Sequence, residues 1–508
     1  MSTNPEPQEA ERVHWDVIIV GTGPGGSAAG YALASPNRRI LFLERGLDLR
    51  VGALRGEFAE NLAGFRKLPE AERSRRLALG GRMTESIEDP VRGDRFVPHL
   101  GCGTGGSSVL WGMTLERLFP ADFDGGWPVS YGEMVPWYEA AERLFRVRGE
   151  PDPVRGELMP HLLTPPLLSP ANEAVFDAAR SQGLHPYRLH LACERTEGCT
   201  LCHGHLCGAA CTCKNDALRI CLEPALAQPG NGLLCQTAVT GLETEGRSVS
   251  VVHARHDGGS SLRLRARIVV LAAGALSTPR ILLDSSLANR SGLVGRGLMR
   301  HAIDLYVMRK APPPETHAAA KELGLNDFYC RDGRKLGSIQ SFGLPPPVDY
   351  LLNQPGFNLW RCMGPLAGPL ARRFARTPII ASVVEDASDP NNGVETSGGG
   401  WRIRYRLGAV ETERRRVLRE FVQRTFRRFG PVRGGGTDDR KALGHVSGTC
   451  RFGHDPRASV LDPVNRAHDL DNLYVTDASF FPTSGAVSPG LTIVANALRV
   501  AAHIGSRL

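Results

Sequence analysis

The sequence predicts an α/β fold, α+β overall, and three stretches carry that prediction. "WDVIIVGTGPGGSAAGYALA" (15–34), "ARIVVLAAGALSTPRILLDSS" (266–286) and "DNLYVTDASFFPTSGAVSPGLTIVANALRVAAHI" (471–504) each run from an apolar strand through a loop into a helix. Strand, loop and helix in that order build sheets covered by helices. The three stretches lie far apart in 508 residues, so the domain they form is discontinuous. A chain of this length has room for two or three domains.

In the first stretch, Val17 to Val20 form a continuous apolar run, as a central parallel strand requires. Gly21, Gly23 and Gly26 follow in G-x-G-x-x-G spacing. Gly21 permits a tight turn, Gly23 lets a pyrophosphate approach the backbone, and Gly26 lets helix and strand pack closely. A second strand, "RRILFLERG", then reaches Glu44, 21 residues beyond Gly23. A carboxylate there accepts hydrogen bonds from both ribose hydroxyls. Three glycines alone are a weak signal; strand, glycines, helix, strand and acid in order predict a Rossmann-like dinucleotide-binding unit. The motif does not separate NAD from FAD, but a domain closed by later segments suits an FAD held lengthwise.

Composition excludes several classes. The 42% hydrophobic and 22% charged content is that of an ordinary soluble globular protein. No run approaches the roughly 20 apolar residues of a membrane span. The N-terminus "MSTNPEPQEAERVHWD" is polar and acidic, without the apolar core of a secretory signal. These features predict a cytoplasmic protein, a setting that disfavours permanent disulfides. The net charge of +8 suggests nucleic acid at first, yet only six of the 61 basic residues are Lys and the Arg is dispersed. The densest cluster, "ETERRRVLREFVQRTFRR" (411–428), alternates with apolar positions at helical spacing and reads as the solvated face of a helix. No nucleic-acid partner is expected.

Six pieces in order, "GTGPGGSAAG", "GCGTGGSSVLWGM" (101–113), "AAGALSTPRILLDSS", "GRGLMRHAID" (295–304), "HVSGTCRFG" (445–453) and "NLYVTDASFFPTSGAVSPGLTI", span nearly the whole chain. Together they resemble the glucose–methanol–choline (GMC) oxidoreductase family. The resemblance implies a flavoenzyme with an FAD-binding domain from 14–125, 223–308 and 438–508. It also implies a sheet-based substrate-binding domain from 126–192 and 309–437. Residues 193–222 fall between these blocks as a cysteine-rich insertion.

Oxidising an alcohol removes a proton from oxygen and a hydride from carbon; FAD accepts the hydride at flavin N5, and the protein must supply a base. Histidine suits the task because its pKa lies near physiological pH. Among fifteen histidines, His445 has the family context, a Gly-bounded loop before the final strand. The family places a second His or Asn in the loop before the last helix, where this chain has Ser488. Serine hydrogen-bonds but has short reach and cannot become cationic, so Ser488 serves directly, holds a water, or stands by. Some relatives attach FAD through a histidine in the 101–113 loop. Leu110 stands there, beside Trp111, so FAD is expected to be noncovalent, with Gly105, Gly106 and Ser107 lining the flavin. Asp477, near the expected pyrophosphate, is read as orienting backbone donors or water. His301 is read as a packing residue rather than a second flavin neighbour.

Seven of the twelve cysteines fall within 193–221. Cys199, Cys202, Cys207 and Cys211 have C-x2-C-x4-C-x3-C spacing, with His203 and His205 among them and Cys193, Cys213 and Cys221 flanking. Three readings stay open: a disulfide or thiol cross-brace, an iron–sulfur cluster carrying electrons away, or a zinc site. The spacing matches neither paired zinc hooks nor the bacterial ferredoxin run.

The expected function is FAD-dependent oxidation of a small-molecule alcohol: a sugar, an aminosugar such as an aminoglycoside intermediate, or a polyol. The electron acceptor is left open. Two rivals remain: a flavin-containing lyase of the same fold, and a noncatalytic metal or redox module centred on the cysteines.

Overall fold

A computed structural model describes residues 5–48, 50, 87–89, 94–96, 101–109, 112–165, 167–194, 213–256, 259–311, 321–331, 333–343, 377–397, 400–436 and 445–508. The apolar run at the front forms the strand His14–Val20. It pairs in parallel with Ile40–Leu43 on one side and Ser261–Leu271 on the other, and Val17 through Val20 are buried.

The seven-stranded sheet runs Gly232–Leu234, Ile40–Leu43, His14–Val20, Ser261–Leu271, Ser248–His256, Thr237–Glu245, with Leu473–Val475 also paired to Ser261–Leu271. The long strand Ser261–Leu271 serves two environments, and its sequence says where they meet. In "SLRLRAR" the apolar residues alternate with exposed arginines, the pattern of a sheet wetted on one face. In "IVVL" every residue is buried, as needed between two parallel neighbours.

The helix Pro24–Leu33 covers one face and packs against the last helix, Gly490–Gly505. The close approach needs glycine at position 26, where a Cβ would lie 2.0 Å from the Gly21 carbonyl oxygen. The helix Tyr131–Leu144 joins the same core, its Tyr138 hydroxyl 2.9 Å from Thr492 Oγ1. Among the described residues, no helix is long and apolar enough to cross a membrane.

A second, six-stranded sheet runs Pro431–Gly436, Ala302–Met308, Ile379–Val384, Ser338–Gly343, Leu323–Leu325, Tyr187–Arg188, antiparallel throughout. Ala302–Met308, the last strand of the expected segment 223–308, hydrogen-bonds within this sheet. Its inner residues pack against the helix Ala409–Thr425 and Ile379–Val384.

That helix departs from the solvated face expected of it. Arg416 does face solvent between Glu413 and Glu420. Arg415 and Arg419 instead turn inward to Asp304, where Arg433 joins them. One buried carboxylate thus ties a helix and an edge strand together within the second sheet; burial pushes its pKa up, but the Arg419 and Arg415 guanidinium groups outweigh that and hold it below its ordinary range. Asp304→Ala is expected to cost about 3–5 kcal/mol, since it removes the buried carboxylate that Arg415, Arg419 and Arg433 share. Urea denaturation of variant and parent measures the loss.

Candidate active site

Three loops meet at the carboxyl ends of the parallel strands, where open α/β sheets bind ligands. Gly23 caps the helix Pro24–Leu33 without any side-chain cap, leaving its first N–H groups directed outward. A Cβ built on Gly23 meets nothing within 4 Å, although Gly21, Gly25 and Gly26 are crowded by backbone. This open position at a helix N-terminus is a cradle that fits a pyrophosphate.

Glu44 lies between the loops. One carboxylate oxygen accepts from Thr22 N–H (3.1 Å) and Thr22 Oγ1 (2.6 Å), the other from Gly46 N–H (2.8 Å) and Gly103 N–H (3.1 Å). Gly105 and Gly106 adopt left-handed backbone, and a Cβ on Gly106 would lie 2.8 Å from Gly23 Cα. Ser107 is exposed, and its hydroxyl accepts from Gly101 N–H at 3.2 Å. Leu110 and Trp111 lie outside the described residues.

Asp477 follows the strand Leu473–Val475. Its carboxylate accepts from Gly274 N–H (2.9 Å), from Ser479 N–H (2.8 Å) and from the Thr278 hydroxyl at 2.5 Å. It holds the turn after Ser261–Leu271 and the start of the helix Ser277–Asp284.

The second part of the site brings together two histidines from distant segments. Met299 and Ser447 form an antiparallel backbone bridge with reciprocal 3.0 Å hydrogen bonds. Two residues along each segment, that register sets His301 opposite His445 on the same side. Their Nδ1 atoms are 2.8 Å apart. His445 adopts φ +56°, a left-handed conformation that costs a non-glycine residue roughly 1–2 kcal/mol.

The hydrogen bonds fix the tautomers. His301 Nε2 lies 3.1 Å from the Ser484 carbonyl oxygen, which only accepts, so Nε2 donates. Burial pushes the His301 imidazolium down to about 4, so the neutral ring keeps an acceptor at Nδ1. His445 must then donate from Nδ1, which leaves its Nε2 as a bare lone pair. Burial, then the neighbouring His301 and the Lys321 ammonium, hold His445 well below the ordinary histidine range. It is a neutral base at physiological pH.

The Ser484 carbonyl is itself held by a buried polar lattice. Ser484 Oγ exchanges hydrogen bonds with the backbone of Asp386 at 3.1 Å. Glu385 accepts from Gly485 N–H at 3.2 Å, and the Tyr329 hydroxyl accepts from Ala486 N–H at 2.8 Å. Tyr329 donates to Asp122 at 2.7 Å, and the Lys335 ammonium bridges Asp122 and Glu385. Asp386, pushed up to about 7 by burial, also accepts from Arg300 N–H, next to His301.

His301, expected to be a packing residue, is instead the partner of His445 through the bridge register. The sequence signal for it was limited to its place, like that of His445, in one of the six pieces that carry the family resemblance. Ser488 is half-buried in the loop before Gly490–Gly505. Cys199, Cys202, Cys207 and Cys211 lie outside the described residues. The insertion leaves and returns at one place, since Cys193 bridges Lys214 and both Cys193 and Cys213 are buried. Burial pushes the Cys221 thiol far above its ordinary range, so it resists becoming a thiolate ligand. Among the described residues, no group of three His, Cys, Asp or Glu side chains is placed to hold a metal ion.

Comparison with known proteins decides the family. Residues 16–303 and 415–497 match GMC oxidoreductase. This chain is a GMC oxidoreductase. Across 99% of its length it is 29% identical to 6'''-hydroxyparomomycin C oxidase of Streptomyces lividus, covering 93% of that protein. Across 97% it is 27% identical to paromamine 6'-oxidase of Streptomyces fradiae, covering 92% of it. The 2-methyl-1,2-propanediol dehydrogenase of Mycolicibacterium austroafricanum is 25% identical over 97% of this chain and 95% of that one. Among solved structures, pyridoxine 4-oxidase from Mesorbium loti shares the fold with a TM-score of 0.66 at 22% identity, over 96% of this chain and 99% of that one. This GMC chain is an FAD-dependent alcohol oxidoreductase.

Two glycine variants separate fold from cofactor binding in this GMC enzyme. Gly23→Ala, with open space for its methyl, should keep the fold and lose at least tenfold in FAD affinity. Gly26→Ala should lose thermal stability as well, because its methyl meets backbone. Flavin content and melting temperature, read together, check both.

Proposed function

We propose that this enzyme oxidises a hydroxyl group on a sugar, an aminosugar such as an aminoglycoside intermediate, or a polyol, with His445 as the base. The observation that carries the reading is the hydrogen-bond chain from the Ser484 carbonyl through His301 to His445, which leaves His445 Nε2 as an acceptor. A neutral imidazole with that lone pair takes the hydroxyl proton of a bound alcohol. His301 then accepts a hydrogen bond from the charged His445 ring, which keeps it oriented while it holds the proton.

Gly21, Gly23, Gly26, Gly105, Gly106, Ser107, Glu44 and Asp477 are the residues that would hold FAD, noncovalently. When bound, FAD supplies the hydride acceptor. Glu44 is assigned to the ribose hydroxyls and the Gly23 cradle to the pyrophosphate. Ser488, in the loop before the last helix, is assigned to the substrate oxygen, directly or through water. The substrate class is supported by the two aminoglycoside oxidases and the diol dehydrogenase among the relatives.

Anaerobic addition of sugars, aminoglycosides and simple polyols to the FAD-loaded enzyme should bleach the flavin. His445→Ala should slow bleaching by about 10²–10⁴-fold with flavin content unchanged. Turnover without bleaching would instead favour the lyase reading, which Ser488 keeps in view.

The pH dependence has a definite sign. Because the His445 base is held below the ordinary histidine range, it stays unprotonated as pH falls through 6.5. The acid limb of kcat/KM should therefore lie below 6.5. In His301→Phe, which removes the acceptor at Nδ1, the rate should fall at least tenfold across the whole profile. Stopped-flow reduction against pH measures both.

A further inference from the structure

We propose that Lys321 is a substrate-binding cation of the alcohol pocket, selecting an oxygen rather than an ammonium group beside the reacting carbon. The proposal rests on the reading of His445 as the base and names what else the bound alcohol meets.

Lys321 stands two residues before the strand Leu323–Leu325 of the second sheet and is 8% exposed. Its stem lies against Gly112, where an added Cβ would come 2.8 Å from Lys321 Cε. Gly112 closely follows the loop that carries Gly105, Gly106 and Ser107, so the lysine stem rests on the backbone leading away from the flavin loop. The ammonium sits 4.6 Å from the centroid of the Phe342 ring. Its charge reaches His445 and helps hold that ring neutral.

No oxygen among the described residues accepts a hydrogen bond from Lys321 Nζ. Glu116 is the acid whose charge it feels, but no ion pair forms between them. The Glu116 carboxylate takes the Tyr187 hydroxyl instead, and burial pushes it up to about 7. Burial likewise pushes the Lys321 ammonium down to about 8. A nearly buried ammonium whose donors find no acceptor among the described residues needs water or a ligand to satisfy them. A ligand oxygen supplies what the protein withholds. An alcohol oxygen giving up its proton to His445 gains from a cation nearby, whereas a substrate ammonium in the same place is repelled.

A purely structural lysine, stabilised by Phe342 alone, is the competing account. Acetate and ethylammonium, the smallest probes bearing an oxygen anion and an ammonium, separate the two accounts when titrated into the FAD-loaded enzyme. Acetate should perturb the flavin absorption at least tenfold more tightly than ethylammonium. In Lys321→Met and in Lys321→Gln that preference should vanish, and KM for the alcohol that bleaches fastest should rise at least tenfold, with a smaller change in kcat. Equal acetate binding in parent and variants overturns the proposal, as does a parent enzyme that prefers neither probe. The parent titration stands even where a variant fails to retain FAD. If no alcohol bleaches the flavin, the His445 reading fails while acetate still judges Lys321.

Discussion

The backbone bridge between Met299 and Ser447 is the constraint on which the pairing of His301 with His445 depends. It joins the segment entering the second sheet to the loop preceding the last strand of the first, and its antiparallel register sets His301 against His445. Neither histidine could be placed by its own segment alone. Gly448 shows how tight the junction is: its φ is +87° and a Cβ there would lie 2.5 Å from Met299 Cε. The strain at His445 is sustained by this junction, since the bridge fixes the backbone two residues on.

The relay then asks for a fixed acceptor at its far end, and the polar lattice beneath Ser484 provides it. Asp122, Glu385 and Lys335 place two acids and one base in a buried site, an arrangement that is costly unless each member is hydrogen-bonded. Here each is: Tyr329 and the N–H groups of Phe119, Gly485 and Ala486 complete the set. The lattice therefore spends its interactions on the loop 484–486, the one whose carbonyl decides the tautomer of His301. Its electrostatics reach the relay too, because the Asp122 charge raises and the Lys335 charge lowers the His301 imidazolium.

How much of this was legible in the sequence follows from the range of each interaction. The Gly21–Gly26 turn, the strand before it and the acid at Glu44 are set by local geometry, and the residues announce them. The two characters of Ser261–Leu271 are likewise written in its alternation. The pairing of His301 with His445 spans 144 residues and depends on register, which no local pattern records. The partner of Arg415 is equally non-local: the residue falls on the buried stripe with Glu411, Leu418 and Val422, but only the fold supplies Asp304 on the neighbouring strand to receive it and Arg419. Lys321 carried no signal of its own, since its packing against Gly112 and Phe342 is a property of the fold.

Glu44 links the glycine turn to the 105–107 loop in a way its motif position does not reveal. Its four hydrogen bonds reach Thr22 in the glycine turn, Gly46 beyond the second strand, and Gly103 at the head of the 105–107 loop. Each oxygen already accepts from two donors, so ribose hydroxyls reaching this carboxylate must share it or displace a loop donor. Charge-assisted hydrogen bonds of this kind are the strong ones. Under the proposed assignment of Glu44 to the ribose hydroxyls, ribose binding and the seating of the 105–107 loop would be coupled through one side chain. The four donors by themselves give position 44 a reason to be a carboxylate: an amide there offers only one accepting oxygen and could not hold three backbone segments at once.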